Sequence, residues 1–246
     1  KQEIDLVSGI SHPNIAAVSE VGSFQNRAYV ASELLEGMRL SQYVQEKPEP
    51  IEFDMFLRIF HQVCDGLQCA HGSGIIHRDL NPDNIFLVRP DTPDECAKIV
   101  DFGIAKALPQ GIGMLAKKLS ETGSLPRLLF YLSPEQCIGL GVDARSDVYA
   151  VGCIMYYCIM RKAPFDAESF HRGNFEPPPL VLPEGYDSTI SAVIRKCMAK
   201  TPADRYQTVG ELRRELDSLS DGMPPIARVP IAVPVGEKTL GRIINV

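Results

Sequence analysis

The stretch His77-Arg78-Asp79-Leu80-Asn81-Pro82-Asp83-Asn84, followed 22 residues after Asp79 by Asp101-Phe102-Gly103, decides how this sequence is read. A divalent cation that neutralises a triphosphate takes hard oxygen ligands, and Asn84 and Asp101 are residues of that kind. A hydroxyl that attacks phosphorus needs a carboxylate to orient it or accept its proton. Asp79, five residues before Asn84, sits on the same loop for that task. Gly103 lets the backbone turn sharply beside the metal. Any one of these residues is as compatible with an acid or amide in a surface turn, and it is the set that points to phosphoryl transfer.

Working outward, residues 53–71 carry Phe53, Phe56, Leu57, Phe60, Val63, Leu67 and Ala70 at gaps of mostly three and four, which predicts a long amphipathic helix. Gly72 and Gly74 are its stop signals. Residues 85–88 and 97–100 read as strands of a hairpin around the polar loop 90–95. Nearer the start, residues 3–10 read as a helix stopped by His12-Pro13-Asn14. Residues 15–21 and 28–34 read as strands around a turn at 22–27. Residues 103–132 show little periodicity, and loops of that length are commonly functional or disordered. Residues 147–160 are apolar on nearly all sides and predict a helix buried in the core, with further helices at 190–198 and 209–219. Beyond Asp221, Pro224, Pro225, Pro230 and Pro234 suggest an extended linker.

At this point the sequence resembles the eukaryotic-type (Hanks-type) Ser/Thr protein kinase family, in its bacterial form, over residues 3 to about 219. His77-Arg78-Asp79-Leu80 with Asn84 is similar to the catalytic loop, and Asp101-Phe102-Gly103 to the metal-binding motif. Ser133-Pro134-Glu135 resembles the Ala-Pro-Glu motif. Asp147-Val148-Tyr149-Ala150-Val151-Gly152 resembles the start of the central buried helix. Arg205 matches the late arginine that pairs with the motif glutamate, here Glu135. The resemblance implies a bilobal α+β fold, with residues 1–35 as a remnant of the small lobe, 36–220 as a mainly helical large lobe and 221–246 as a tail. It implies ATP and Mg²⁺ as cofactors, with Asn84 and Asp101 as metal ligands and Asp79 as the residue that orients the hydroxyl of a protein Ser or Thr. Ser32 then falls at the gatekeeper position. Backbone groups of Glu33 and Leu35 would bind the adenine edge, and Phe86 would lie beneath the ring. Glu3 falls at the glutamate of the small-lobe helix. Arg78 would contact a phosphate on the activation segment, where Ser120, Thr122 and Ser124 are candidates.

Three departures bear on catalysis. No Gly-rich loop and no Val-Ala-Ile-Lys strand occurs in the sequence, so Glu3 lacks its lysine partner and the roof over the phosphates is absent. Asn81 stands where Ser/Thr kinases usually carry lysine, and an amide supplies no positive charge to the transferring phosphoryl group. Arg127 and Leu128 replace the usual Gly-Thr. The 246 residues are therefore expected to transfer phosphate poorly or not at all, the missing elements lying upstream of Lys1 in a longer protein. A pseudokinase that serves as a binding scaffold is the alternative. A small-molecule phosphotransferase is a third reading, against which Ser133-Pro134-Glu135, Asp147 and Arg205 argue.

Composition sets the frame. With 45% apolar and 23% charged residues the chain is ordinary globular protein, which excludes a disordered tail, a collagen-like repeat or a disulfide scaffold. A net charge of −6 argues against a nucleic-acid-binding surface. The longest apolar run, 13 residues at 148–160, is too short to cross a bilayer. Seven cysteines with no CxxC pair, mostly within apolar helical patterns, read as core thiols of a reducing compartment. The expected location is cytoplasmic, alone or as the cytoplasmic part of a longer membrane-anchored protein.

Overall fold

The structure is a computed structural model and describes residues 9–24, 27–102, 127–166, 168–169, 173, 175–219 and 243–245. Two strands, β1 (Val18–Phe24) and β2 (Arg27–Ser32), form an antiparallel hairpin with Phe24 opposite Arg27. Residues 22–24 were expected in the turn, but Gly22 and Ser23 find ladder partners in Tyr29 and Ala28, and pairing extends both strands. Ile15, expected within the first strand, instead forms an isolated parallel bridge with Ile99. Ala16 N–H donates to the Ile99 carbonyl at 2.9 Å, and Ile99 N–H donates to the Asn14 carbonyl at 2.8 Å. These bonds stitch the small hairpin onto the rest of the molecule.

A second sheet has the order β3-β4-β5, all antiparallel, from Gly37–Arg39, Ile85–Val88 and Cys96–Ile99. Strand β3 and the helix after it, α1 (Leu40–Glu46), escape the sequence reading, although Leu40, Tyr43 and Val44, all buried, stand at helical spacing. Gly37 is required where it stands, because a Cβ there would lie 2.0 Å from the Leu87 carbonyl oxygen.

Helix α2 (Phe53–Gly72) follows its predicted span closely. Its apolar face packs beside α4 (Ala144–Met160), in which every residue from Ser146 to Ile159 is buried. A helix without a polar face has to run through the core, as the sequence implied. Asp143 caps it by accepting from Arg145 N–H at 2.9 Å, so that the helix begins at Ala144, three residues before the predicted start. A short α3 (Pro134–Cys137) precedes it, and α5 (Ile190–Cys197) and α6 (Val209–Ser218) pack against it. Phe56, Leu57, Ile59 and Phe60 of α2 and Val148, Tyr149, Val151 and Ile154 of α4 are fully buried. At roughly 1.5–3 kcal/mol for each large apolar side chain, this core is a major source of stability, and Ile85, Leu87 and Ile99 of the second sheet belong to it as well. All seven cysteines are free, and six of them are buried.

The tail departs from the expected linker in one place. Ile243–Asn245 form β6, antiparallel to β2 against Tyr29, Val30 and Ala31, so that the first sheet reads β1-β2-β6. An open sheet edge offers unpaired N–H and C=O groups, and the β-branched pair Ile243-Ile244 suits them. Among the described residues no helix is long and apolar enough to cross a membrane. Residues 1–8, with Glu3, lie outside the described residues, as do Gly103, Ser120, Thr122 and Ser124.

Candidate functional site

The loop of residues 77–84 runs from the end of α2 to β4 and is held from below by one carboxylate. Asp147, 1% exposed on α4, accepts from His77 N–H through Oδ2 and from Arg78 N–H through Oδ1, both at 2.9 Å. The His71 ring at the end of α2 adds a third contact, Nε2 to Oδ2 at 2.7 Å. Burial alone would push the Asp147 carboxyl up. The His71 hydrogen bond and the nearby imidazoles outweigh it and hold the group below the usual carboxylate range. The clamp allows Arg78 to sit at φ 67°, a strained angle for a residue with a side chain.

His77 is fully buried. Its Nδ1 accepts from Asp79 N–H at 3.3 Å, so the proton is assigned to Nε2, which faces the Val100 carbonyl at 3.0 Å. Its ring lies 4.7 Å from the ring of Phe102, centroid to centroid. His77 thus fastens the 77–84 loop to the strand end that carries Asp101.

The Asp79 carbonyl accepts from two amides, Asn81 Nδ2 and Asn84 Nδ2, each at 2.8 Å. For Asn84 this spends the NH₂ end and leaves the amide oxygen, the atom that a hard cation takes. For Asn81 both ends are spent, because its Oδ1 also accepts from Asp83 N–H at 2.9 Å. Asn81 is 1% exposed and braces the loop. Burial, together with the negative charge of Asp101, pushes the Asp79 carboxyl above its ordinary value, against the pull of His77. Among the described residues no cluster of three or more His, Cys, Asp or Glu side chains converges. A cation here would rest on Asp101 and Asn84 and complete its shell with phosphate oxygens and water, the donor set that Mg²⁺ prefers. The residues present fit that ion.

At the back of the site, Glu33 follows β2. Its N–H donates to the Ala17 carbonyl at 2.9 Å, while Ala17 N–H donates to its Oε1, also at 2.9 Å. Among the described residues the Glu33 carbonyl and the Leu35 N–H have no backbone partner. Half-buried Phe86 stands on β4 opposite Arg39 on one side and Lys98 on the other.

Below the site, Arg205 and Glu135 form the buried pair that the sequence implied. Nη1 and Nη2 reach the two carboxylate oxygens at 2.7 and 2.8 Å. Ser146 Oγ donates to the same carboxylate at 2.7 Å, and Arg205 donates further to the carbonyls of Ala199, Lys200 and Arg145. Gln136 Nε2 donates to the Arg78 carbonyl at 2.6 Å, joining this block to the 77–84 loop. Gln136 escaped the sequence reading, although Ser133-x-x-Gln136 spells a capping box that the structure forms. His71 and Lys98 escaped it as well, since their partners lie 76 and 65 residues away. Arg78 Nε is buried without a hydrogen-bond partner. That is an orphan donor suited to an anion. The side chains of Arg127 and Leu128 lie outside the described residues.

Residues 1–214 match the family described as protein kinase domain. Among curated proteins, the chain is 35% identical over 224 residues to the serine/threonine-protein kinase Pkn1 of Myxococcus xanthus, covering 87% of this chain and 31% of that protein. It is 32% identical over 237 residues to the serine/threonine-protein kinase PknB of Mycobacterium tuberculosis, covering 92% and 36%. The chain thus spans about a third of the length of these relatives. Among solved structures, the PknI kinase domain of Mycobacterium tuberculosis superposes with a TM-score of 0.66 at 24% identity, over 87% of this chain and 75% of that one.

Proposed function

Because the chain belongs to the protein kinase family, in the eukaryotic-like serine/threonine branch found in bacteria, we propose that it binds ATP with Mg²⁺ in this site and serves transfer of the γ-phosphate to a Ser or Thr hydroxyl of a protein substrate in signalling. The carrying observation is the loop clamped by Asp147, with Asn84 on the Asp79 carbonyl and His77 bonded to the Val100 carbonyl next to Asp101. Bound Mg²⁺ supplies neutralisation of the phosphate charge. Asn84 and Asp101 hold the ion. Asp79 orients the hydroxyl, and its raised affinity for a proton suits it to take one up. The Glu33 carbonyl and Leu35 N–H take the adenine edge, and Phe86 forms the floor. Arg78, with its orphan Nε, receives an activation-segment phosphate on Ser120, Thr122 or Ser124. Glu3 would pair with a lysine absent from these 246 residues. Residues 1–35 and 36–220 act as small and large lobes, 221–246 as a tail, and the site works in the cytoplasm.

Asn81 favours a second reading. Its amide is spent within the loop, so this position supplies no cation to the phosphoryl group, and a binding module that retains nucleotide without turnover would look the same. The test is transfer of radiolabelled phosphate from Mg·ATP to a general protein acceptor. The expected result is slow incorporation by this chain that disappears in Asp79→Asn, a substitution that removes a contribution on the order of 10²–10⁴-fold. Nucleotide binding with no transfer supports the scaffold reading when a longer chain that adds a Gly-rich loop and its lysine also transfers none. Transfer indifferent to Asp79→Asn overturns the assignment of Asp79.

A further inference from the structure

Lys98 and Glu33 form an ion pair that the chemistry above leaves unused. Nζ lies 2.7 Å from Glu33 Oε1, and the two side chains are 6% and 9% exposed. Burying two charges costs more than their attraction returns unless further hydrogen bonds help. Ala17 N–H supplies one to the same Oε1. Even so, a buried pair is weak evidence for stability, and its placement is the more informative fact.

Lys98 lies on β5 directly opposite Phe86 on β4. Directly opposed residues of antiparallel strands share a face, so the lysine stem runs beside the ring that forms the proposed adenine floor. Three residues further on, the same segment reaches Asp101. At the other end, Glu33 opens the segment whose backbone forms the proposed adenine edge. The ion pair therefore ties the floor of the pocket to its edge across the junction of the two sheets.

We propose that the Lys98–Glu33 pair is a positioning device for the purine base, setting the spacing between the 33–35 backbone and Phe86 so that both engage the ring together. This rests on the nucleotide-binding reading above. Neither side chain is among the residues assigned above to Mg²⁺ or the phosphates, so losing the pair weakens the nucleoside part of binding and leaves the Mg²⁺-dependent part alone.

The experiment measures dissociation constants of adenosine and ATP by competition with a fluorescent ATP analogue, with and without Mg²⁺, alongside melting temperatures. It uses the 246-residue chain as parent. Lys98→Met and Glu33→Gln are expected to weaken adenosine and ATP by a common factor of about tenfold. Lys98→Arg keeps the charge and stays within about threefold of the parent. Asp101→Asn, in contrast, lowers only the Mg²⁺-dependent gain of ATP over adenosine. Should Lys98→Met fail to fold, Glu33→Gln carries the test, because its amide oxygen still accepts from Ala17. Variants that melt earlier yet bind adenosine like the parent, measured well below their melting points, overturn the proposal and leave the pair a purely structural role. A parent that binds neither adenosine nor ATP overturns the nucleotide reading and this proposal with it. A parent that binds both, beside variants that match it, overturns this proposal alone.

Discussion

Asp147 shows how one buried carboxylate can organise a site without touching a substrate. Two backbone N–H groups and one imidazole converge on it. Asp147→Asn keeps the shape but turns an NH₂ toward a backbone N–H. It should cost about 2–4 kcal/mol, because one charge-assisted bond is lost and a buried donor is stranded. Denaturant midpoints of parent and variant measure this, and a midpoint unchanged within error contradicts the clamp. Glu135 makes a prediction of different form. Burial would raise its carboxyl, but the hydrogen bonds from Arg205 and Ser146 outweigh burial and hold it below the ordinary 4.5. The unfolded chain then takes up the proton first as pH falls. The group's contribution is present in full above pH 4.5 and is lost as pH drops through the folded value. Glu135→Gln, which leaves Arg205 buried without its partner charge, should destabilise by about 3–5 kcal/mol at pH 7. The gap between parent and variant should narrow steadily below the ordinary carboxylate range, and a gap as wide there as at neutrality would refute the linkage. Asp79, Asp147, Glu135 and Arg205 were legible in the sequence because short motifs carry them. Lys98, His71 and Gln136 were not, because each gains its meaning only from a partner that the fold brings close.

At the scale of elements, legibility followed length and burial. Helix α4 announced itself because a run apolar on all sides has no solution but the core. Helix α2 did so through its repeating stripe. The hairpin ends of β1 and β2 shifted because pairing, rather than local preference, decides where a strand stops. Strand β3 spans three residues, too few to show alternation, and its place depends on β4. Gly152 of α4 tests how tightly these elements interlock. A Cβ there would lie 2.6 Å from Cys197 Cβ and 2.9 Å from Met198 Cγ, at the contact with α5. Backbone conformation places no demand on the residue, since it is helical, so Gly152→Ala isolates the steric term. Alanine's better helix propensity favours the variant by about 1 kcal/mol. Overpacking at a distance real Cβ atoms do not reach costs about 1–3 kcal/mol and should win. The expected result is a lower melting temperature with far-UV circular dichroism unchanged, and a variant more stable than the parent would mean that α4 and α5 part without penalty.

For the whole molecule, the sheet of β1, β2 and β6 is the part least tied to the helices. The helical core around α2 and α4 is continuous, whereas β1 and β2 join it through backbone bonds of residues 14–17, through Glu33 and through Val18 at the start of β1. One edge of β2 is taken by β1, and the other is covered, among the described residues, by Ile243–Asn245. A hydrogen-bonded edge is protected from water and from strand addition, and an open one is a template for both. The contact is short, and closing a long chain segment onto it costs entropy that grows only slowly with the length of the segment. The edge should therefore open locally at low free energy while α2 and α4 stay closed. Removing residues 221–246 converts that transient opening into a permanent one. Amides of residues 29–31 that face β6 should then exchange hydrogen for deuterium about tenfold faster or more. Those of 56–67 in α2 should keep their rates, and light scattering should show association that rises with protein concentration. If residues 29–31 exchange at the same rate in both chains, β6 does not close that edge in solution. If α2 accelerates equally, the sheet and the helical core unfold as one unit, and the division of stability argued here between them is wrong.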